Sequence, residues 1–262
     1  MQKISAVIIT KDEEKIIARC LDCLQWVDEI IVIDSGSTDN TMKIARQYGA
    51  KVYSREWAGY ARQKNFGIAK AKNGWVLSLD ADEIMTDELA DEIKNIPDSG
   101  AGKAGFFIAR KNIYYGRWLR FGGIYPDHQL RLFKKQAGKY DEVDLHECVG
   151  IKGETGTLKN PVMHYTKDSI HEHIEFVNKY TELEAKRLFE KGHIPTGYSA
   201  LIKPKFYFLK HYIFKLGFLD GWQGFACHVI SSMYVFMTEI KVMEKQGMGK
   251  IHLLKTLLKR TG

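Results

Sequence analysis

Short apolar, β-branched runs recur along the first part of this chain, and they constrain its fold more than any other feature. They occupy residues 4–9, 30–33 and 75–79, and the last two end directly in Asp34 and Asp80. Runs this short and this uniformly apolar read as buried strands of a parallel sheet, covered on both faces. The stretches between them carry helical signals. Thr10 and Glu13 have capping-box spacing, and Ile16, Ile17, Cys20, Leu21 and Leu24 then repeat at helical intervals. A second helix is expected to stop near Gly49, Val52 and Tyr53 mark another strand, and a third helix covers residues 59–72 before Gly74. Strands that alternate with helices predict an α/β domain with a mainly parallel central sheet, whose ligands sit at the carboxyl ends of the strands. Asp34 and Asp80 would then lie on one rim.

Farther along, the alternation decays. A helix at 86–96 is followed by a strand at 106–109, a loop at 112–126 rich in Gly, Tyr, Trp and Arg, and a strand at 130–134, so this half reads as mixed. From residue 168 the pattern turns helical, with segments near 168–191, 204–216, 222–245 and 249–260. Pro195 and Gly197 break it and suggest a boundary. The expected organisation is a catalytic domain over 1–192, with a nucleotide-binding half to about 97 and an acceptor half over 98–192, followed by a helical extension over 193–262.

The net charge of +7 is placed unevenly. Residues 1–197 carry equal numbers of basic and acidic side chains, whereas residues 198–262 carry ten Lys or Arg against three Asp or Glu. The segment at 250–260 gathers apolar residues on one helical face and bases on the other, which predicts association with an anionic membrane surface. The apolar run at 225–237 is too short to span a bilayer. No nucleic-acid-binding motif accompanies the charge, so no nucleic-acid partner is expected. The N-terminal residues lack a signal-peptide pattern and the four cysteines suit a reducing compartment, giving an expectation of cytoplasmic location. Cys20 and Cys23 form a C-x-x-C without a second pair, and are expected to be packing residues of a helix.

The chemistry concentrates at Asp80-Ala81-Asp82-Glu83. Two carboxylates flanking one small residue at the end of a buried strand can approach a hard divalent cation, Mg²⁺ or Mn²⁺, that bridges a diphosphate. In Asp34-Ser35-Gly36-Ser37-Thr38-Asp39 the glycine permits a tight turn, and Asp34 is placed to bond a ribose or a base. Neither G-x-G-x-x-G after the first strand nor a G-x-x-x-x-G-K-[ST] element occurs, which removes the main support for dinucleotide oxidoreductases and P-loop enzymes.

The segments ISAVIITKDEE, IVIDSGSTDNT, ARQKNFGIAKAKNGWVLSLDADE and YPDHQLRLFKK together resemble the family 2 glycosyltransferases of GT-A fold. Within that family the chain looks most like the lipopolysaccharide core β-glucosyltransferases that work on the cytoplasmic face of the bacterial inner membrane. The resemblance implies that Thr10 and Glu13 lie near the nucleobase, Asp34 on the uridine, Lys64 near the base or diphosphate, Asp80 at the ribose or sugar, and Asp82 on the metal. It also implies inversion at the anomeric carbon, with one general base near the acceptor hydroxyl. The chain lacks the family's plain Glu-Asp pair, and two carboxylates can take that part: Glu147, preferred, and Asp127. His164 is a further candidate metal ligand or phosphate contact. His171 and His173, two apart on a helix, are poor joint ligands. The expected reaction moves glucose from UDP-glucose to a saccharide or glycolipid acceptor, an inner-core heptose. Two alternatives stand beside it. A sugar-phosphate nucleotidyltransferase would normally carry a Gly-rich, arginine-bearing loop where this chain has TKDEE. A non-catalytic membrane-associated protein could retain a degenerate nucleotide-sugar site.

Overall fold

A computed structural model describes residues 3–97, 100–141 and 148–247. The chain runs through β1 (Ile4–Thr10), α1 (Ile17–Asp22), β2 (Glu29–Asp34), α2 (Thr41–Gln47), β3 (Lys51–Ser54), α3 (Tyr60–Lys70), β4 (Trp75–Asp80), β5 (Glu83–Ile84) and α4 (Asp87–Lys94). It continues through β6 (Gly105–Tyr114), β7 (Arg117–Trp118), β8 (Asp127–Lys134), β9 (Gly138–Tyr140), β10 (Val149–Ile151), β11 (Thr155–Thr157) and β12 (Val162–Lys167). The helices α5 (Ile170–Glu190), α6 (Gly197–Phe208) and α7 (Gly221–Lys245) follow.

The main sheet has the order β3-β2-β1-β4-β8-β6-β12-β5. Its first four strands are parallel, whereas β8 runs antiparallel to both β4 and β6. The mixed second half expected from the sequence continues the same sheet mainly antiparallel, with β11 parallel to β6 and β9 and β10 paired apart from it. Alternate residues of β1 serve opposite faces: Ala6 and Ile8 pack with Ile17, Leu21 and Leu89 on one side, and Val7 and Ile9 with Ala61 and Ile68 on the other. Burial on both sides is why the strands read as continuous apolar runs rather than as alternation. Gly67 brings α3 close to the sheet, since a Cβ there would clash with Val7 Cγ1 and lie 3.0 Å from Ile33 Cγ1.

Two local expectations are corrected. Thr10 and Glu13 do not form a capping box: Thr10 is the last residue of β1, extended because its carbonyl accepts Ser35 N–H at 3.0 Å. The Glu13 carbonyl accepts from Ile16 and Ile17, and α1 begins only at Ile17, with Ile16 as an N-cap that has no side-chain bond. The helix expected at 204–216 starts earlier, at Gly197, because Thr196 and Ser199 form a capping box. Pro204 lies inside this helix and withholds a backbone N–H. The chain then passes into a π-helical turn, Leu209–Phe214. Cys20 and Cys23 are packing residues, and Met85 N–H donates to Cys23 Sγ at 3.2 Å.

By internal packing the chain divides into two compact units. One comprises the residues up to Asn112 together with Pro126–Thr166, the other Ile113–Tyr125 and the residues from Lys167 on. Within the second unit α5 and α6 both pack on α7. The break near 193–197 is pinned to α7, because Glu239 accepts from Ser199 Oγ at 2.9 Å and Lys203 Nζ at 2.7 Å and faces His193 Nε2 at 3.2 Å. The segment Ile113–Tyr125 is tied in by the Asp220 carboxylate, which accepts Arg120 and Phe121 N–H at 3.0 and 2.9 Å. No helix of the described residues is long and apolar enough to cross a membrane. The amphipathic segment at 249–260 and Glu147 lie outside the described residues.

Candidate active site

Strand register brings the predicted site residues of the first unit to one rim. Thr10 pairs with Asp34 across β1 and β2, and Ile9 with Asp80 across β1 and β4. Beyond this rim the loops after β1 and β2 are laced together. Asp12 N–H donates to Ser37 Oγ at 2.8 Å, Thr38 N–H to Asp12 Oδ1 at 2.7 Å, and Glu13 N–H to Thr41 Oγ1 at 2.8 Å. Asp39 completes the lacing by accepting Glu14 N–H and Thr41 N–H. Asp34, fully buried, accepts Gly36 and Ser37 N–H through Oδ2 and the Ser37 hydroxyl through Oδ1. Its carboxylate thus shapes its own loop, an arrangement that the positive φ of Gly36 permits. Thr10 Oγ1 is buried on the same rim with no hydrogen-bond partner.

From Asp80 a line of alternating charges crosses the sheet. Lys64 Nζ, buried on α3, lies 3.0 Å from Asp80 Oδ1 and 5.1 Å from the Tyr140 ring centre. Arg131 of β8 donates to Asp80 Oδ2 at 2.7 Å and to Glu83 Oε1 at 2.5 Å. Arg110 of β6 lies 3.6 Å from Glu83 and donates to Asp127 Oδ2 through Nε at 2.9 Å and Nη2 at 2.6 Å. Burial would raise the Asp80 pKa, but the Lys64 and Arg131 charges more than offset it and hold the carboxyl well below its ordinary range. Asp127 is lowered in the same way: burial opposes, and Arg110 with the bonds from Gln129 and Asn112 prevails.

Asp82 and His164 form the second feature. His164 stands opposite Glu83 in the β12–β5 register, and Asp82 accepts Tyr165 N–H through its carbonyl at 3.0 Å. His164 Nε2 therefore comes within 3.3 Å of Asp82 Oδ2. Asn112 orients the ring: its amide Nδ2 faces Asp127 Oδ2 at 3.4 Å, leaving Oδ1 to accept from His164 Nδ1 at 2.7 Å. Nδ1 then carries the proton in the neutral ring, and the Nε2 lone pair faces a carboxylate oxygen. Asp82 Oδ1 is buried and has no hydrogen-bond partner. Two acceptors in contact, one nitrogen and one oxygen, with the second Asp82 oxygen unsatisfied beside them, fit a divalent cation with the remaining positions left for phosphate and water. Among the described residues no group of three or more His, Cys, Asp or Glu could hold a metal by itself.

The structure thus brings together Thr10, Asp34, Lys64 and Asp80 on one side and Asp82, His164 and Asp127 on the other. Glu13 supplies backbone contacts beside them. Sequence reasoning gave no site role to Glu83, Arg110, Asn112 or Arg131. A signal existed for the last, because an arginine inside Leu130-Arg131-Leu132-Phe133, buried along its whole length, requires an anionic partner. Asn112 carried none, since its effect depends on β6 lying beside β12.

The model of the glycosyl transferase family 2 matches residues 5–152. An uncharacterized glycosyltransferase of Rickettsia typhi is 31% identical, over 93% of this chain and 88% of the relative. The lipopolysaccharide core biosynthesis glycosyltransferase LpsC of Rhizobium meliloti is 27% identical, over 94% of this chain and 93% of that one. Among solved structures, glucosyl-3-phosphoglycerate synthase of Mycobacterium tuberculosis, in complex with Mn²⁺, UDP and phosphoglyceric acid, covers 65% of this chain and 73% of its own at 19% identity and a TM-score of 0.44. The family match spans more than half of the chain and includes the laced loops, the Asp80–Asp82 turn and Arg131, and on that ground the chain belongs to glycosyl transferase family 2, built on an α/β domain of GT-A type with a helical C-terminal region.

Proposed function

We propose that this glycosyltransferase moves glucose from UDP-glucose, with inversion, to a saccharide or glycolipid acceptor, a heptose of the lipopolysaccharide inner core. The acceptor reading is supported by the likeness to a lipopolysaccharide core enzyme along nearly the whole of both chains. The observation that carries the donor reading is the Asp82–His164 pair, with its unsatisfied carboxylate oxygen beside the rim formed by Thr10, Asp34 and Asp80. Asp82 and His164 would hold Mg²⁺ or Mn²⁺, which supplies charge neutralisation to the departing diphosphate. Lys64 and Arg131 keep Asp80 ionised to accept from ribose or sugar hydroxyls, and Thr10, Glu13 and Asp34 frame the uridine. Glu147 is the general base. Asp127 is instead a positioning residue, because its carboxylate is bound by Arg110 and held in the weakly basic state, and because it orients Asn112 and through it His164.

In this reading, residues 1–192 contain the donor and acceptor halves of the catalytic domain, and residues 193–262 form a basic extension. The protein works in the cytoplasm, held on the inner membrane in part by the tail at 249–260. The family match removes the nucleotidyltransferase alternative. Thermal unfolding with UDP and UDP-glucose, with and without Mn²⁺, tests the site. A metal-dependent rise in melting temperature is expected in the wild type and should vanish in Asp82→Ala, whose own stability should change by less than about 1 kcal/mol, as its side chain is partly exposed. Full turnover by Asp82→Ala in saturating metal would refute the metal assignment. Metal-dependent UDP binding without transfer to any saccharide would favour the non-catalytic alternative.

A further inference from the structure

The helical unit carries a face that internal packing does not use. Residues 197–219 hold fourteen apolar or aromatic side chains that read as core sequence, yet Phe214 is 77% exposed, Tyr198 74%, Phe206 63% and Leu201 58%. The π-helical turn Leu209–Phe214 has no buried residue at all. Apolar exposure continued over an α-helix, a π-turn and the short 3₁₀ turn Gly217–Asp220 exceeds the scattered single residues of an ordinary protein surface.

The charge on this face is of one sign. Residues 197–219 contain four lysines and no Asp or Glu, and Lys205, Lys210 and Lys215 are exposed among the aromatic side chains. The first acid beyond them, Asp220, is buried and engaged with the Arg120 and Phe121 amides. We infer that this face docks onto a bilayer surface rich in anionic lipid, with Phe206, Phe214 and Phe218 entering the headgroup boundary and the lysines extending to lipid phosphates. Aromatic side chains with a lysine fringe match both layers of that interface. A second copy of the chain would meet the face with its own lysines opposed to lysines, which disfavours self-association. The protein would lie on the membrane rather than cross it, in keeping with the absence of a spanning helix among the described residues. No residue of this surface belongs to the basic tail at 249–260 or is assigned to the donor site.

Co-flotation of the full chain with phosphatidylethanolamine vesicles, with and without phosphatidylglycerol, tests the inference. Wild-type protein should float with the anionic vesicles and much less with the neutral ones. Phe206→Ser/Phe214→Ser/Phe218→Ser should weaken that binding by about tenfold or more, since each loses an inserted apolar group. The tail variant Lys255→Gln/Lys259→Gln/Arg260→Gln should keep most of it. All three proteins are checked for an unchanged circular dichroism spectrum and an unchanged UDP-dependent melting shift. Undiminished flotation of the triple serine variant overturns the inference, as does a wild type that floats with neither vesicle, or one that is a dimer dispersed by the serine substitutions. Flotation of a wild-type protein that shows no UDP-dependent shift would instead count against the donor site alone.

Discussion

Lys64 reaches from α3 to within 3.0 Å of the Asp80 carboxylate at the end of β4, and does so from a position where only 4% of its side chain is exposed. A helix lysine usually extends into water, and this one is held between a carboxylate and the Tyr140 ring. The pair converts a sequence spacing of sixteen residues into a fixed charge arrangement on the donor rim.

Replacing Lys64 with Met keeps the bulk and removes the charge. Asp80 then retains Arg131, but one partner of a buried pair is gone, and a loss of about 2–4 kcal/mol is expected in urea unfolding. The Asp80 pKa should move back towards the ordinary carboxylate range, so UDP affinity measured by calorimetry should fall in acid sooner than in the wild type, only as pH approaches that range. A variant with wild-type stability and a pH-independent affinity would show that the pair carries neither role.

Asn112→Ala removes the acceptor that fixes the His164 ring. Loss of such an outer partner typically costs about 10–100-fold in metal affinity. The Mn²⁺ concentration for half-maximal UDP-dependent stabilisation should rise by that factor, with the plateau recovered at high metal. An unchanged metal titration would remove Asn112 from the site.

The two carboxylates considered for the base separate by substitution. Glu147→Gln should lower turnover by about 10²–10⁴-fold, the usual range for general base catalysis. Asp127→Asn should retain turnover within about tenfold when metal is saturating, because its part is to orient Asn112 and bind Arg110. The reverse ranking would identify Asp127 as the base.

The helical unit should lose stability in mild acid. Burial, followed by the neighbouring His211, pushes the His228 pKa down to about 4, and burial followed by Lys167 does the same for His173. Between the unfolded value of about 6.5 and the folded value, the unfolded chain binds protons that the native state refuses. Stability therefore falls as pH drops through this window and is fully regained above about pH 7. From pH 7 to 5 the loss should be about 2 kcal/mol per histidine, and His228→Asn should remove roughly half of it. Equal unfolding free energies at pH 5 and 7 would contradict this account.

Much of the fold follows from the sequence alone. The apolar runs ending at Asp34 and Asp80 specify buried parallel strands whose carboxyl ends share a rim, because a strand covered on both faces must be apolar at every position. Asp80 and Asp82 could be singled out for the same reason, since the apolar strand before them ends on that rim, whereas Lys64 is indicated only by the family resemblance. What the tertiary structure decided is which groups meet. Arg131 reaches Asp80 and Glu83 only because β8 runs antiparallel beside β4, and His164 reaches Asp82 only because β12 pairs with β5. The grouping of Ile113–Tyr125 with the residues from Lys167 on likewise reflects helix packing on α7 and the hold of Asp220 on a loop a hundred residues earlier. Periodicity reports what each segment buries, whereas partners and unit boundaries depend on contacts between segments far apart in the chain, which no local pattern encodes.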